Sequence, residues 1–168
     1  MTTQDIKKAV EAVERHLQSQ KGPQPDTCAM AVVEDGLRCR IESPDGRSVH
    51  TDMPVSLGGT ATANSPGWLM RAAIASCDAT LLAMRAARKG IELDSIKVTV
   101  DAKSDGRGML LDEGISPKSS EVRVLFDIRA GNVSREEVQQ LVDWVIAHAP
   151  VGNDVSQSVE MFYELKTE

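Results

Sequence analysis

The sequence lacks three features that would mark whole classes of protein. Its three cysteines, Cys28, Cys39 and Cys77, are unevenly spaced, which excludes a disulfide framework and is typical of a chain whose thiols stay reduced. Basic residues are in the minority: the formal net charge is −6 at pH 7, which argues against nucleic acid and anionic membranes as partners. The cysteines and the three histidines show no metal-site spacing, so we expect neither a metal nor another cofactor.

The sequence also has no apolar run that is long enough to span a membrane and free of charges. Its most apolar stretch, residues 64–90, contains Arg71, Asp78 and Arg85 at seven-residue intervals, close to one stripe of a helix. Three charges inside the run argue against a membrane-spanning helix. The first 17 residues are polar and amphipathic, with neither an apolar signal core nor a lipidation motif. We therefore expect a cytoplasmic protein.

What residues 64–90 do contain is the pattern of one long helix. Ser65 can cap its start, Pro66 suits its first turn, and Gly90 suits the left-handed residue that ends it. Apolar residues occupy nearly the whole circumference, which predicts a buried core helix with Cys77 in its middle.

The segments around this helix predict an α+β chain. Residues 1–25 are expected to form an amphipathic helix and a linker, and residues 26–168 the main domain. A capping box of Ser134 and Glu137 opens another helix, which ends before Pro150. Alternating apolar residues and Asp-Gly turns predict strands over 27–34, 37–43, 47–53, 96–102, 122–128 and 159–165. The central helix should then lie against an antiparallel sheet.

Two features ahead of the central helix have simple structural interpretations. Cys39 alternates with the apolar residues of its strand, so we interpret it, and likewise Cys28, as a small core residue. The pair Gly58-Gly59 predicts a tight connection into the helix rather than a phosphate cradle, because the lysine and the spacing of a P-loop are absent.

Residues 58–108, GGTATANSPGWLMRAAIASCDATLLAMRAARKGIELDSIKVTVDAKSDGRG, resemble the OsmC/Ohr family, the osmotically induced and organic hydroperoxide resistance proteins. The shared order is a loop, Asn-x-Pro, an apolar helix with a mid-helix cysteine, Lys-Gly-Ile, a strand and Asp-x-Arg-Gly. The likeness extends from about Thr27 to Leu165. It implies an OsmC-like α+β fold: antiparallel sheets wrapped around a long buried central helix in an intertwined homodimer, here with an extra N-terminal helix.

The resemblance also implies a chemistry, that of a thiol peroxidase. In this family a cysteine thiolate takes oxygen from an organic hydroperoxide, and a second cysteine resolves the sulfenic acid as a disulfide. Cys77 matches the attacking cysteine. The family's glutamate after Asn-x-Pro corresponds to Gly67, and its second cysteine to Ala149.

An arginine that activates the thiolate in the family has no clear counterpart. Glu34 stands where the hydroperoxide-resistance branch carries it, and Arg38, Arg40 and Arg47 lie nearby. Arg40 and Arg38 are the candidates that we single out. A cation is needed because Cys77 lies about three turns into its helix, where the dipole no longer helps, among apolar neighbours that favour the neutral thiol.

Three functions stay open from the sequence. The first is a one-cysteine peroxidase, in which Cys77 is oxidised by an organic hydroperoxide and an external thiol restores it. The second is a non-catalytic dimer that binds a small apolar ligand, and the third is an interaction protein that uses the N-terminal helix. Trp68 and Met84 could line a cleft near Cys77, although core packing also accounts for them. An arginine close to the Cys77 sulfur would favour the first function.

Overall fold

The computed structural model of the chain describes residues 2–111, 114–157 and 159–167. Its helices are α1 (Thr3–Leu17), α2 (Pro66–Lys89), α3 (Arg107–Leu110), α4 (Arg135–His148) and α5 (Pro150–Ser156). Its strands are β1 (Met30–Asp35), β2 (Arg38–Glu42), β3 (Ser48–Thr51), β4 (Ser95–Ser104) and β5 (Ser119–Arg129). All of these strands pair antiparallel, so the predicted α+β class with antiparallel sheets is confirmed.

The chain forms two compact units. The first comprises Met1–Val13 and Ile74–Glu168, and the second comprises Glu14–Ala73. The first unit contains the β4–β5 pair, and the second contains a three-stranded sheet in the order β1-β2-β3. The boundary that the sequence suggested at residue 25 stays a prediction.

The β4–β5 pair joins the apolar residues that the sequence pattern picked out. Ile96 lies opposite Ile128, Val98 opposite Phe126, and Val100 opposite Val124. Side chains on one face of an antiparallel pair contact their cross-strand partners, so the register places all six on one face. Ile96, Phe126 and Ile128 pack against the core of the first unit.

That core is built from α2 and α4. Its buried residues are Leu82, Ala86, Leu141, Val145 and Ala149. At its edge the Arg85 guanidinium lies 4.4 Å from the centre of the Trp144 ring, and that ring stacks on His148 with 4.2 Å between centroids. A cation over an indole face is attracted by the ring's negative quadrupole. Arg85 on α2 is thus held to α4 by an aromatic ring.

Helix α2 begins and ends as predicted. The Trp68 amide donates to Ser65 Oγ at 3.3 Å, Pro66 is the first helical residue, and Gly90 follows the last turn with φ 72°. The burial of the whole helix as the core of a dimer stays a prediction, and in the single chain the burial is one-sided. Its buried residues follow one row, Ile74, Asp78, Leu82, Ala86 and Ala87. The remaining faces are partly exposed because full burial needs packing partners on every side of a helix.

The N-terminal helix α1 packs through its first half on the first unit. Glu11 Oε1 lies 3.9 Å from Arg88 Nη1 on α2. Ile6 lies beside Ala83, Ala87 and Ile91 around a small cavity. Val13 and Leu17 are exposed.

The three-stranded sheet of the second unit is exposed to a degree that its sequence does not suggest. Every residue of β1 is exposed, including Val32 and Val33, which point to opposite faces. Cys39 is half-buried, but Cys28 is exposed and precedes β1, so the interpretation of Cys28 as a core residue is wrong. Hydrophobic alternation alone does not bury a residue, because burial also needs an element to pack against.

Two further departures occur near the C-terminus. Pro150, interpreted as the end of a helix, also opens α5, because proline suits a first helical turn, where its missing N–H is not needed. The predicted strand over 159–165 is wrong: residues 159–167 form no strand within the described part of the chain, and Tyr163 and Leu165 are 84% and 89% exposed. A strand requires a neighbour to receive its backbone hydrogen bonds, and the described chain supplies none there.

Candidate functional site

Cys77 lies near the middle of α2, in the first unit. Its thiol is free and half-buried, and its side chain packs against the core cluster that contains Ala149. Ala149 is 2% exposed and separates α4 from α5. Cys77 and Ala149 therefore belong to the same packed region.

Asp78 follows Cys77 and occupies the buried row of α2. It is 6% exposed, and its Oδ1 lies 4.0 Å from the place that a Cβ on Gly152 of α5 would take. The described residues offer its carboxyl no hydrogen bond and no ion pair. Partial burial raises the pKa of Asp78, because desolvation disfavours the charged form of its carboxyl.

Arg40, on β2 of the second unit, is engaged by carboxylates. Its Nε donates to Glu34 Oε1 at 2.7 Å, and its Nη1 forms an ion pair with Glu42. His50 Nε2 lies 3.6 Å from the other Glu34 oxygen. The positive charge of Arg40 is thus balanced by two neighbouring acids.

Arg38 has a different environment. Its Nη1 donates to Thr62 Oγ1 at 2.7 Å, and within the described residues it has no carboxylate partner. Thr62 Oγ1 in turn lies 3.0 Å from Asp52 Oδ2, to which it donates. The guanidinium is therefore held in place by a hydroxyl and, among the described residues, forms no direct ion pair.

Asp52 is the centre of a hydrogen-bond network in the same unit. It is 1% exposed, and its carboxylate accepts from the hydroxyl and the amide of Thr60, from the hydroxyl and the amide of Thr62, and from the Met53 amide. These donors, Thr60 first among them, hold the pKa of Asp52 far below its ordinary value. The network fixes the loop that leads into α2.

Two different constraints explain the glycines of that loop: a left-handed backbone at Gly58 and close backbone packing at Gly59. Gly58 has φ +86°, and a Cβ on Gly59 would lie 2.0 Å from Met53 O. The Ala61 amide donates to the same oxygen at 3.1 Å. Only glycine fits at position 59, so the prediction of a tight connection is confirmed.

The remaining predicted residues lie along α2. A Cβ on Gly67 would be 3.8 Å from Arg71 Nη1, so a larger side chain at position 67 would stand beside a cation. Trp68 is 45% exposed and Met84 is half-buried. They precede and follow Cys77 by about 14 Å and about 10 Å along the helix axis. Their role as cleft residues stays a prediction.

Neither a metal cluster nor a membrane helix is found in the described part of the chain. Residues 2–111, 114–157 and 159–167 contain no group of three His, Cys, Asp or Glu side chains that could hold a metal ion. None of their helices is long and apolar enough to cross a membrane.

The sequence matches the model of a known protein family, which is described as OsmC-like protein. The match covers residues 59–164. The chain belongs to the OsmC-like protein family. No curated protein matches the chain.

Solved structures with the same fold include other OsmC-like proteins. An OsmC-like protein from Mycoplasma pneumoniae is 18% identical, with 81% of this chain and 91% of that chain covered and a TM-score of 0.68. An organic hydroperoxide resistance protein OsmC from Legionella pneumophila is 21% identical (83% and 95% covered, TM-score 0.59). The organic hydroperoxide resistance protein OhrB of Bacillus subtilis is 23% identical (79% and 93% covered, TM-score 0.51). At these identities the likeness concerns the fold.

Sequence reasoning about the OsmC-like site missed two residues. Asp78 was interpreted as one charge of a polar stripe, yet it lies in the buried row of α2. The role of Asp52 in fixing the loop was not anticipated. The sequence did carry a signal for Asp78: the apolar residues Ile74 and Leu82 lie one turn before and after it, and residues four apart share a helix face.

Proposed function

We propose that this OsmC-like protein is a one-cysteine thiol peroxidase that reduces organic hydroperoxides in defence against oxidative stress. The observation that carries the proposal is the environment of Cys77, a free, half-buried thiol packed against a cluster that contains Ala149. The resemblance to the family implies that Cys77 corresponds to the attacking cysteine and Ala149 to the second one. An alanine there cannot form a disulfide. The oxidised thiol must therefore be restored by a thiol from outside the chain.

The proposed reaction has two stages. The Cys77 thiolate attacks the outer oxygen of the hydroperoxide, the O–O bond breaks, and the products are a sulfenic acid on Cys77 and an alkoxide that takes up a proton. An external thiol then displaces water from the sulfenic acid to give a mixed disulfide. A second external thiol releases Cys77 and leaves as part of a disulfide.

A cation is needed to favour the thiolate, and we favour Arg38 over Arg40 for that role. Two carboxylates form direct ion pairs with Arg40, whereas among the described residues Arg38 has only the neutral hydroxyl of Thr62 as a direct side-chain partner. A cation without a direct ion pair stabilises a thiolate more strongly than one that is paired with two acids. Arg38→Ala should therefore slow the oxidation of Cys77 more than Arg40→Ala does.

We also propose that the working form is a cytoplasmic homodimer. The exposed apolar residues of β1 and of residues 159–165 support a second copy, since surfaces of this kind normally mark an interface. Three free cysteines are consistent with a reducing compartment. Sedimentation equilibrium at micromolar concentration should give twice the chain mass of 18.2 kDa.

Thiol titration tests the peroxidase proposal. The purified protein and Cys77→Ser are each treated with one equivalent of cumene hydroperoxide, and free thiols are counted before and after. We expect the wild type to lose one thiol per chain, the variant to lose none, and a dithiol to reverse the loss. No loss from the wild type over hours at neutral pH would refute the peroxidase function.

A second candidate, a dimer that binds a small apolar ligand, is favoured by one observation. A cavity of about 160 Å³ lies between α1 and α2, among Ile6, Ala83, Ala87, Ile91 and Leu93. Apolar cavities of roughly 150 Å³ can bind benzene-sized molecules. Saturable binding of toluene, followed by calorimetry and abolished by Ala83→Phe, would support this function if thiol titration fails.

A further inference from the structure

A cavity of about 260 Å³ lies between α2 and α4, and the proposed reaction uses none of its residues. Its wall includes side chains four apart on α2 and three or four apart on α4, spacings that place residues on one face of a helix. The lining residues are Arg85, Lys89, Ile91, Glu137, Gln140 and Leu141. All six belong to the first unit.

Two cations of α2 line this cavity. Arg85 is half-buried, and its guanidinium lies 4.4 Å from the centre of the Trp144 ring. An indole ring attracts a cation but has no lone pair that accepts the hydrogen bonds of a guanidinium. Within residues 2–111, 114–157 and 159–167, neither Arg85 nor Lys89 forms an ion pair with a carboxylate. The donors of both side chains can therefore serve a ligand.

The acid in the cavity wall, Glu137, is held by its own helix. Its Oε2 accepts from the Ser134 amide at 3.0 Å and from Ser134 Oγ at 2.7 Å, as part of the capping box of α4. These hydrogen bonds, that of the hydroxyl first, lower the pKa of Glu137. Two cations and one carboxylate give the wall a net charge of +1 at neutral pH.

The charge, the shape and the size of the cavity indicate one class of ligand. A guanidinium fork matches the two oxygens of a carboxylate, and a net charge of +1 favours a monoanion over a dianion. Ile91 and Leu141 supply apolar wall for an apolar body. At roughly 30 Å³ for each molecule of liquid water, the volume equals that of about nine waters, which suits a carboxylate with one six-membered ring.

We propose that the cavity between α2 and α4 binds a small monocarboxylate, with the carboxylate on Arg85 and Lys89 and the apolar body against Ile91 and Leu141. Arg85 follows Cys77 by about 12 Å along α2, and the binding does not depend on the thiol chemistry. Ile91 also borders the cavity beside α1, but the described residues that line that cavity carry no charge. A charged ligand therefore distinguishes the two cavities.

The test is an NMR titration of the ¹⁵N-labelled full chain with benzoate. Benzamide, which has the same ring without the charge, is the ligand control. The two tryptophans give two indole N–H signals, which Trp144→Phe assigns. Trp144 reports on the cavity because its ring lies under Arg85, and Trp68, about 26 Å before Arg85 along α2, is the internal reference.

Four variants test the contribution of each charge. Arg85→Gln and Lys89→Gln each remove a proposed contact. Glu137→Gln removes the repelling charge while glutamine can keep the capping box. The matched control is Arg123→Gln, which changes the net charge of the protein equally but lies outside the cavity, on β5, where Arg123 is ion-paired with Glu121.

We expect the Trp144 signal to shift saturably with benzoate, the Trp68 signal to stay in place, and benzamide to bind at least about 10-fold more weakly. Arg85→Gln should weaken benzoate binding on the order of 10-fold or more, and Lys89→Gln about threefold. Glu137→Gln should strengthen it about twofold because a like charge is removed. Arg123→Gln should match the wild type.

The opposite sign at Glu137 separates recognition of charge from damage to the fold. Weaker binding in Glu137→Gln as well as in the other cavity variants would mean a structural effect and would overturn the proposal. Equal affinity for benzoate and benzamide would also overturn it, as would unchanged benzoate binding in both Arg85→Gln and Lys89→Gln. A wild type whose Trp144 signal does not move at millimolar benzoate leaves the cavity without this ligand class.

Discussion

The structure buries two aspartates, Asp52 and Asp78, and surrounds them in opposite ways within the described residues. Asp52 precedes the loop into α2 and accepts hydrogen bonds from three amides and two hydroxyls. Asp78 lies in the middle of α2 and accepts none from the described residues. Hydrogen bonds favour the charged form of the first, and desolvation favours the neutral form of the second.

The same side chain is therefore stabilised in opposite protonation states by its surroundings at the two positions. A carboxylate with all its acceptor sites used fixes the backbone that supplies the donors, and it is inert because its proton is gone. A desolvated carboxyl without such donors has a raised pKa and does not hold the backbone around it.

The largest effect should come from Asp52→Ala. The change leaves the amides of Met53, Thr60 and Thr62 without their acceptor, and buried unpaired donors are strongly unfavourable. We expect the melting temperature to fall by about 10 °C in differential scanning calorimetry. Asp45→Ala removes an exposed carboxylate of a turn in the same unit and should shift it by no more than about 2 °C. Equal shifts in both variants would contradict the role of Asp52 as an anchor.

Gly59→Ala should distort the same loop while leaving the Asp52 carboxylate unchanged. The new Cβ would lie 2.0 Å from Met53 O, so the backbone has to move. We expect a loss of about 1–3 kcal/mol in urea unfolding, as for other overpacked sites. The control is Gly106→Ala, because a Cβ on Gly106 meets nothing within 4 Å. A loss confined to Gly59 would show that close approach, and not glycine's flexibility, is what the loop requires.

Asp78→Asn should stabilise the protein at neutral pH. The amide removes a group that resists ionisation in its buried site, and we expect the melting temperature to rise by about 2–4 °C. Asp127→Asn, on the exposed face of β5, should leave it unchanged. A lower melting temperature for Asp78→Asn would mean that the carboxyl has a stabilising partner.

The pH dependence of stability should have opposite signs at the two aspartates. The folded pKa of Asp52 lies below its unfolded value of about 4, so its contribution is present above about pH 4 and is lost as the pH falls through the folded value. The folded pKa of Asp78 lies above its unfolded value. Its contribution is therefore fully present below about pH 4 and is lost as the pH rises through the folded value.

Urea titrations from pH 3 to 8 measure both contributions. The advantage of Asp78→Asn over the wild type should grow as the pH rises above about 4 and then level off. For Asp52→Ala, the deficit should shrink as the pH falls below about 4. A difference between Asp78→Asn and the wild type that does not change with pH would refute a raised pKa at Asp78.

Gly152→Ala should have the smallest effect and sharpens the description of the Asp78 site. Its new methyl group would lie 4.0 Å from Asp78 Oδ1, an ordinary contact, within helix α5. We expect a gain of about 0.4–1 kcal/mol from the reduced freedom of the unfolded chain. The gain should be smaller above the folded pKa of Asp78 than below it, because the methyl removes water from a carboxylate. Equal gains across the pH range would place the carboxyl away from Gly152.

Several local features were predictable because their interactions join residues close in sequence. The capping box of Ser134 and Glu137 forms with 3.2 Å from the Glu137 amide to Ser134 Oγ, and Gly90 adopts the left-handed conformation. The capping box and the left-handed glycine each depend only on residues within about one helical turn of each other. The family could be recognised from the sequence for a similar reason, because its motifs follow one another in one continuous stretch of the chain.

Features that join distant residues were not predictable in the same way. The predicted strand over 159–165 needed a neighbouring strand that the described chain does not supply, and Cys28 needed an element to cover it. The environment of Asp78 depends on Gly152, many residues further along the chain. No alternation or spacing near Asp78 encodes that contact.

The sequence alone predicted where α2 and α4 begin and which apolar residues share one face within each of β4 and β5. Local propensity and periodicity suffice for these, because each concerns a few adjacent residues. The fold alone reveals that Asp52 is a carboxylate held by five hydrogen bonds and that Asp78 is a desolvated carboxyl with a raised pKa. The ionisation of a buried carboxyl depends on how many donors the fold brings to it, and those donors come from other parts of the chain.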